Sequence, residues 1–365
     1  MKKYVIQRVI WIFIILFTTL TMTYVLLKLA PEFPPGKNED KDIWLEKQVE
    51  DGYYTSDYLD KNDPDDMAYL EEVKKRSDYN KTVFIVNPIG STSTTYKVFY
   101  RVPIPVQYFR WLYNVITKWD WGTSTKIAIN RPAFSVISQR MPLTLILNLA
   151  GLIFYLPFGF AFGIIAALKK DKLIDNLMQI FIMVFLSIPS LVLLLTLIII
   201  LSYKLNWLPS LFPLIGIESN WQIAKGFIVP IIAMSLPSIA SLTRLLRAEL
   251  SEVQTSDFVM LAKTKGLSHG QSVIRHAIRN SLVPMVPIII GSFAGLLSGS
   301  FIMERVYGIP GVGTITLRAL QQNNYDYNVL MASNAFYGII GLFTVLIVDL
   351  SYGLVDPQIR MGAKK

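Results

Sequence analysis

Six stretches of the chain hold no Asp, Glu, Lys or Arg and are apolar along most of their length: 9–27, 141–168, 176–203, 226–243, 280–303 and 327–348. A helix that crosses a bilayer needs about 20 such residues, with roughly 17–25 tolerated and more when tilted. Each run is long enough. The pattern therefore predicts an all-α polytopic membrane protein with six transmembrane helices, and it excludes a soluble enzyme. The first run closes on Lys28-Leu29-Ala30, which puts a lysine where signal cleavage needs a small residue. Residues 1–30 are thus expected to be a retained transmembrane helix.

Between the first two runs the alternation changes. Asn62-Asp63-Pro64-Asp65-Asp66 suits a helix start, with Asp63 as cap, Pro64 in the first turn and acids at the positive end of the dipole. Met67, Leu70 and Val73 follow at helical spacing. Val83 and Ile85, then Tyr96, Val98 and Tyr100, alternate as strands do, and turn chemistry lies between them at 87–91. A small α+β insert over 31–138 is expected, followed by a core of spans over 139–361.

The polar stretch 244–280 is the most informative one outside the spans. Phe258, Leu261 and Ala262 fall on one helical face, and Gly266 stands where a helix would end. Ser268-His269-Gly270-Gln271 fits a capping box opening a second helix, with Val273, Ile274, Ala277 and Ile278 as its apolar face. Two short amphipathic helices joined by a glycine bend have two readings. They lie on the lipid surface, or they form a docking surface for a partner.

Composition sharpens this picture. Of 365 residues only 17% are charged, against about 25% in soluble domains. The net charge of +9 is uneven, since residues 31–130 carry 16 acids and 13 bases. Fifteen Lys and Arg lie at the two ends and in the loops after the second and fourth runs; only Lys204, Lys225, Arg305 and Arg318 lie in the opposite short loops. Positive charge marks the cytoplasmic face, so both termini are expected there and 31–138 outside. The basic excess flanks apolar spans, which points to membrane lipid and not to nucleic acid. The absence of Cys excludes thiolate sites, and His269 and His276 alone make an imidazole metal site a poor fit.

The run Asp257-Phe258-Val259-Met260-Leu261-Ala262-Lys263-Thr264-Lys265-Gly266-Leu267-Ser268, continued by residues 275–284, resembles the signature loop of binding-protein-dependent ABC importer permeases. In its particulars it resembles the oligopeptide/dipeptide branch, first (B-type) subunit. Leu29-Ala30-Pro31, the 106–108 and 120–124 stretches, 139–145, Glu304-Arg305-Val306-Tyr307-Gly308-Ile309-Pro310-Gly311-Val312-Gly313 and the 349–360 stretch agree with it. The usual Glu-Ala-Ala reads Met260-Leu261-Ala262 here, and 36–99 is longer than the branch carries.

That resemblance implies a type I importer permease fold and no catalysis or cofactor in this chain. It also implies a second homologous permease subunit as heterodimer partner, two cytoplasmic ATP-binding subunits and an extracellular solute-binding lipoprotein, in a bacterial cell membrane. Asp257, Leu261, Ala262, Lys265, Gly266, Leu267, Ser268, Arg275 and Asn280 would then contact the ATPase, and Glu304, Gly308, Pro310, Gly311 and Gly313 would shape the outer mouth. No Gly-x-x-x-x-Gly-Lys-Ser/Thr loop occurs, so nucleotide must be handled by another subunit. The implied cargo is peptide, with nickel or other metal chelates as the alternative in the same branch.

The residues exclude other readings. Gly308-x-x-Gly311-x-Gly313 has the wrong spacing for a dinucleotide loop and follows no strand. Asp349 falls near the end of the sixth run, where a helix contact or an interfacial role is expected, and Asn148 and Asn334 are expected to bond between helices. An ion-coupled secondary transporter wants charge at midplane and related halves, and neither is present in the pattern. A receptor working through 31–138 would leave 244–280 without a role.

Overall fold

The computed structural model describes residues 2–29, 38–77, 79–86, 94–273, 277–282, 285–286, 289–291, 301–321 and 325–355. Four helices among these are long and apolar enough to span: Ile6–Leu29, Ala133–Leu168, Asn220–Gln254 and Tyr327–Ser351. They account for four of the six expected runs. The run 280–303 falls mostly outside the described residues.

The run 176–203 is not one straight helix. It is a pair, Leu173–Ser187 and Ser190–Lys204, bent by 100°. The reason is local. Pro189 has no N–H and pushes Ile188 out of the helical region, to φ −88 and ψ 124.

The chain divides into two compact units. One comprises 1–15, 140–314 and 337–365. Its frame is α6 (Met141–Leu168) against α9 (Asn220–Gln254). Small residues let these two approach closely. A Cβ on Gly159 would lie 2.6 Å from Leu242 Cδ2, and one on Gly163 would lie 2.8 Å from Leu246 Cβ. Dispersion over such a close approach is what joins helices where lipid is as apolar as leucine. α9 continues well past the apolar run 226–243, so the expected loop begins as helix through Gln254. α7 (Leu173–Ser187) joins α9 through a buried ion pair: Arg247 Nε and Nη2 donate to Asp175 Oδ1 and Oδ2 at 2.6 and 2.7 Å. In the same unit Arg8 of α1 (Lys2–Leu29) lies 3.2 Å from Asp349 of α15 (Tyr327–Val355), a contact between helices. Asn148 donates to the Thr144 carbonyl of its own helix.

The second unit comprises 16–139 and 315–336. It holds α2 (Asn38–Glu50), β1 (Tyr54–Asp60), α3 (Pro64–Lys75), β2 (Val83–Val86), β3 (Thr95–Arg101), α4 (Ile104–Lys118) and α5 (Ala133–Ser138). The strands form an antiparallel sheet in the order β1-β3-β2, with Tyr54 opposite Arg101 and Val83 opposite Tyr100. α3 lays Leu70 and Val73 on Leu59, Val83 and Val98, and Asp63 caps it by accepting from the Asp65 N–H at 2.9 Å. β1, α2 and α4 were not expected, and the 87–91 turn lies outside the described residues. Asn334 Nδ2 donates to Thr23 Oγ1 at 2.7 Å, the bond between helices expected of it.

Candidate functional site

The stretch 256–282 builds its geometry from short-range signals. α10 (Asp257–Thr264) ends at Gly266, whose φ of +90 is the left-handed conformation that glycine adopts without penalty. The Gly266 N–H donates to the Lys263 carbonyl at 3.0 Å and the Leu267 N–H to the Ala262 carbonyl at 3.3 Å. This pair of bonds satisfies the last carbonyls of the helix and turns the chain. Ser268 and Gln271 then cap α11 (His269–Ser272) reciprocally: the Gln271 N–H donates to Ser268 Oγ, and the Ser268 N–H to Gln271 Oε1.

The buried face of α10 differs from the expected one. Val259 and Ala262 point inward, whereas Phe258, Met260 and Leu261 are 44%, 57% and 55% exposed. With apolar residues on both sides of so short a helix, periodicity alone selects neither. Val259, Val273 and Ala277 join Leu246 and Leu250 of α9, and Ala167 of α6, in one core. The loop is therefore packed onto two spans while presenting three large apolar side chains outward. Asp257, Lys265, Gly266, Ser268 and Asn280 are exposed and Leu267 is half-buried; Arg275 lies outside the described residues.

The second candidate set converges on a carboxylate. Glu304, on α13 (Phe301–Tyr307), is fully buried. It accepts from Thr144 Oγ1 at 2.8 Å and from the Thr314 N–H at 3.2 Å, while Thr144 Oγ1 accepts from the Val312 N–H at 2.9 Å. Gly311 and Gly313 are required by this packing. A Cβ on Gly311 would collide with Glu304 Oε2 and lie 2.5 Å from Thr144 Oγ1, and one on Gly313 would lie 2.7 Å from the Phe301 backbone. Gly308 turns the chain at φ +79 in open space, and the Pro310 carbonyl lies 3.5 Å from Arg140 Nη1. Glu304, Gly311 and Gly313 thus meet, and Gly308 and Pro310 flank them. Thr144 is the member that the sequence reading missed.

It also missed Asp326. This fully buried carboxylate accepts from Ser124 Oγ at 2.6 Å and from the N–H groups of Thr125, Lys126 and Ile127 at 3.0, 3.0 and 3.1 Å. Its other oxygen accepts from the Val329 N–H. Asn328 adds a bond from Nδ2 to the Thr123 carbonyl and accepts from the Tyr53 hydroxyl. The 120–127 stretch is therefore held in place from α15. Beside it, burial pushes the Asp51 carboxyl up to about 6, against the pull of Lys47 and of the Thr123 hydroxyl. Among the described residues no group of three or more His, Cys, Asp or Glu converges as metal ligands would.

Residues 159–361 match the family described as binding-protein-dependent transport system inner membrane component. The chain belongs to that family. It is 34% identical over 259 residues to the dipeptide transport system permease protein DppB of Lactococcus lactis, covering 71% of this chain and 82% of that one. It is 31% identical over 258 residues to the oligopeptide transport system permease protein OppB of Salmonella typhimurium, covering 71% and 81%. An amino acid ABC transporter crystal structure covers 60% of this chain and 93% of its own, with 19% identity and a TM-score of 0.44. The protein is accordingly a multi-pass permease subunit of an ABC importer. It is not a catalyst, and ATP is hydrolysed by a separate subunit.

Proposed function

We propose that this permease forms half of a pathway for dipeptides or oligopeptides. The other half is a homologous subunit, two cytoplasmic ATP-binding subunits drive it, and an external lipoprotein delivers the cargo. The excess of Lys and Arg in the terminal segments and in the 169–172 and 244–279 loops supports cytoplasmic termini. Residues 31–138 then face outward.

The observation that carries the coupling half of this reading is the two-sidedness of α10. Val259 and Ala262 anchor it, and Phe258, Met260 and Leu261 are left to a partner. An ATPase groove that grips those side chains would move a rigid helix already packed on α6 and α9, which is rigid-body coupling of the hinge-and-shear kind. Glu304 and its two glycines hold a tight backbone turn at the opposite end of the pathway.

The test is solubilisation of the tagged chain from membranes, identification of what copurifies, and reconstitution of the assembly in liposomes. A copurified ATPase and ATP-dependent uptake of labelled dipeptide, requiring the binding protein, are expected. Uptake driven by an ion gradient with no ATPase present would overturn the reading.

A further inference from the structure

α4 is apolar on two opposite faces. Gln107, Trp111 and Val115 are buried within the unit. On the other side Val106, Phe109, Tyr113 and Ile116 are 48%, 68%, 62% and 72% exposed, and Trp119, just past the helix, is 55% exposed. The spacing of three, four and three residues places the four helical ones on a single stripe. A water-facing helix would carry charge there.

Both ends of this helix are tied to membrane spans. At its start, Tyr108 bonds Thr21 of α1 between hydroxyls at 2.7 Å and packs edge-on against Tyr24 at 5.3 Å, while Trp111 lies 5.0 Å from the Tyr24 ring. At its end, Trp119 and Trp121 pack on Phe134, at 5.5 and 6.1 Å. Phe134 lies at the start of the Ala133–Leu168 span. The first candidate span ends at Leu29 and the second begins at Ala133, so both anchors stand on the same side of the membrane, whichever side that is.

The depth follows from helical rise. Thr21 and Tyr24 lie about 12 and about 8 Å below Leu29 along α1, at 1.5 Å per residue. Interfacial helices sink their apolar face about 5–10 Å into the headgroup and acyl boundary. The α1 residues on this stretch, Met22, Leu26 and Leu29, are themselves 61%, 65% and 67% exposed, as lipid-facing residues of a span are. Tyr113 and Trp119 are of the residue types that settle at that depth.

We propose that α4 lies in the plane of the membrane as an interfacial helix, its Val106–Phe109–Tyr113–Ile116 stripe seated on lipid acyl chains and its Trp111 face carrying the insert. It would fix the insert's height and tilt over the membrane surface. This goes beyond the proposed transport role and does not depend on which solute is carried.

The absence of cysteine makes the test direct. Phe109→Cys, Tyr113→Cys and Ile116→Cys are made singly, spin-labelled, and reconstituted with the whole transporter, without binding protein, in phosphatidylethanolamine–phosphatidylglycerol liposomes. Tyr58→Cys, on β1 and 63% exposed, is the water-facing control. Relaxation by oxygen is compared with relaxation by a polar nickel chelate. Oxygen is expected to dominate at 109, 113 and 116, with the ratio reversed at 58. Chelate access equal to that of the control would place the stripe in water, and access to neither reagent would place it under another protein; either overturns the proposal. The three labels report independently, so a variant that does not assemble leaves two.

Discussion

Thr144 and Glu304 stand 160 residues apart in the chain and share a 2.8 Å hydrogen bond, in a space that a methyl group on Gly311 would fill. Gly311→Ala should therefore overpack the buried carboxylate and lower stability by about 1–3 kcal/mol. Thr144→Val should do about as much by stranding the carboxylate and the Val312 N–H, and Thr144→Ser should stay near the parent. Thermal melting of the purified transporter checks the series. An unchanged midpoint for Gly311→Ala would mean that the cluster has room for a methyl group.

Asp326 concentrates four donors on one oxygen. Asp326→Asn keeps the shape and loses the charge that the converging N–H dipoles favour. A loss of about 2–3 kcal/mol is expected, with the 124–127 stretch becoming protease-sensitive. Limited proteolysis of the intact and variant protein reads this directly. Equal cleavage rates would show that the stretch is held by other contacts.

These residues mark where reading the sequence stops. The 256–272 geometry was legible because its determinants lie within a few positions: a glycine that must take positive φ, and a Ser and Gln three residues apart. The spans were legible because lipid penalises charge over a fixed length. Thr144, Asp326 and the Asp175–Arg247 pair act across 72 to 202 residues, and nothing local declares a partner so distant. Two signals were nonetheless present. Pro189 inside an apolar run foretold the 100° bend, and an acid at each edge of a run, Asp175 and Asp326, foretold a buried bond.

The carboxyl of Asp51 gives a pH dependence of definite sign. Its value is about 6 in the fold against 3.8 when free, because burial disfavours the ionised form. The stability it contributes is full below 3.8 and is lost as pH rises through 6, up to about 3 kcal/mol in all. Asp51→Asn should remove this slope and be the more stable form at pH 7.5. Melting curves from pH 4 to 7.5 decide it, and parallel slopes for both proteins would count against a buried acid.

At Gly266, among the described residues, no atom beyond its two chain neighbours lies within 4 Å of where a Cβ would stand, so a side chain would strain only the backbone. Gly266→Ala should cost about 1–2 kcal/mol locally, with Gly266→Asn milder because asparagine tolerates this conformation better. Membrane insertion should be intact for both, and for Gly266→Trp. Uptake should fall in the order Asn, Ala, Trp, while ATP hydrolysis persists. Normal uptake by the Trp variant would refute the coupling role of this bend.

Arg247 and Asp175 form a forked, largely buried pair. Removing either partner should cost about 3 kcal/mol, because the other charge stays behind without compensation. The double replacement Asp175→Leu with Arg247→Met should be milder than either single change. A double-mutant cycle on thermal stability measures this, and strict additivity would argue against direct coupling.

The fit of Leu242 and Leu246 into the dents above Gly159 and Gly163 has a mechanical consequence. Two helices keyed together at successive turns cannot slide past one another without first separating. If the proposed coupling holds, a stroke delivered at Val259 or Val273 would carry α6 and α9 as one rod. Under the proposed coupling, the pathway would then open by pivoting around that rod, with the movement taken up at its end joints.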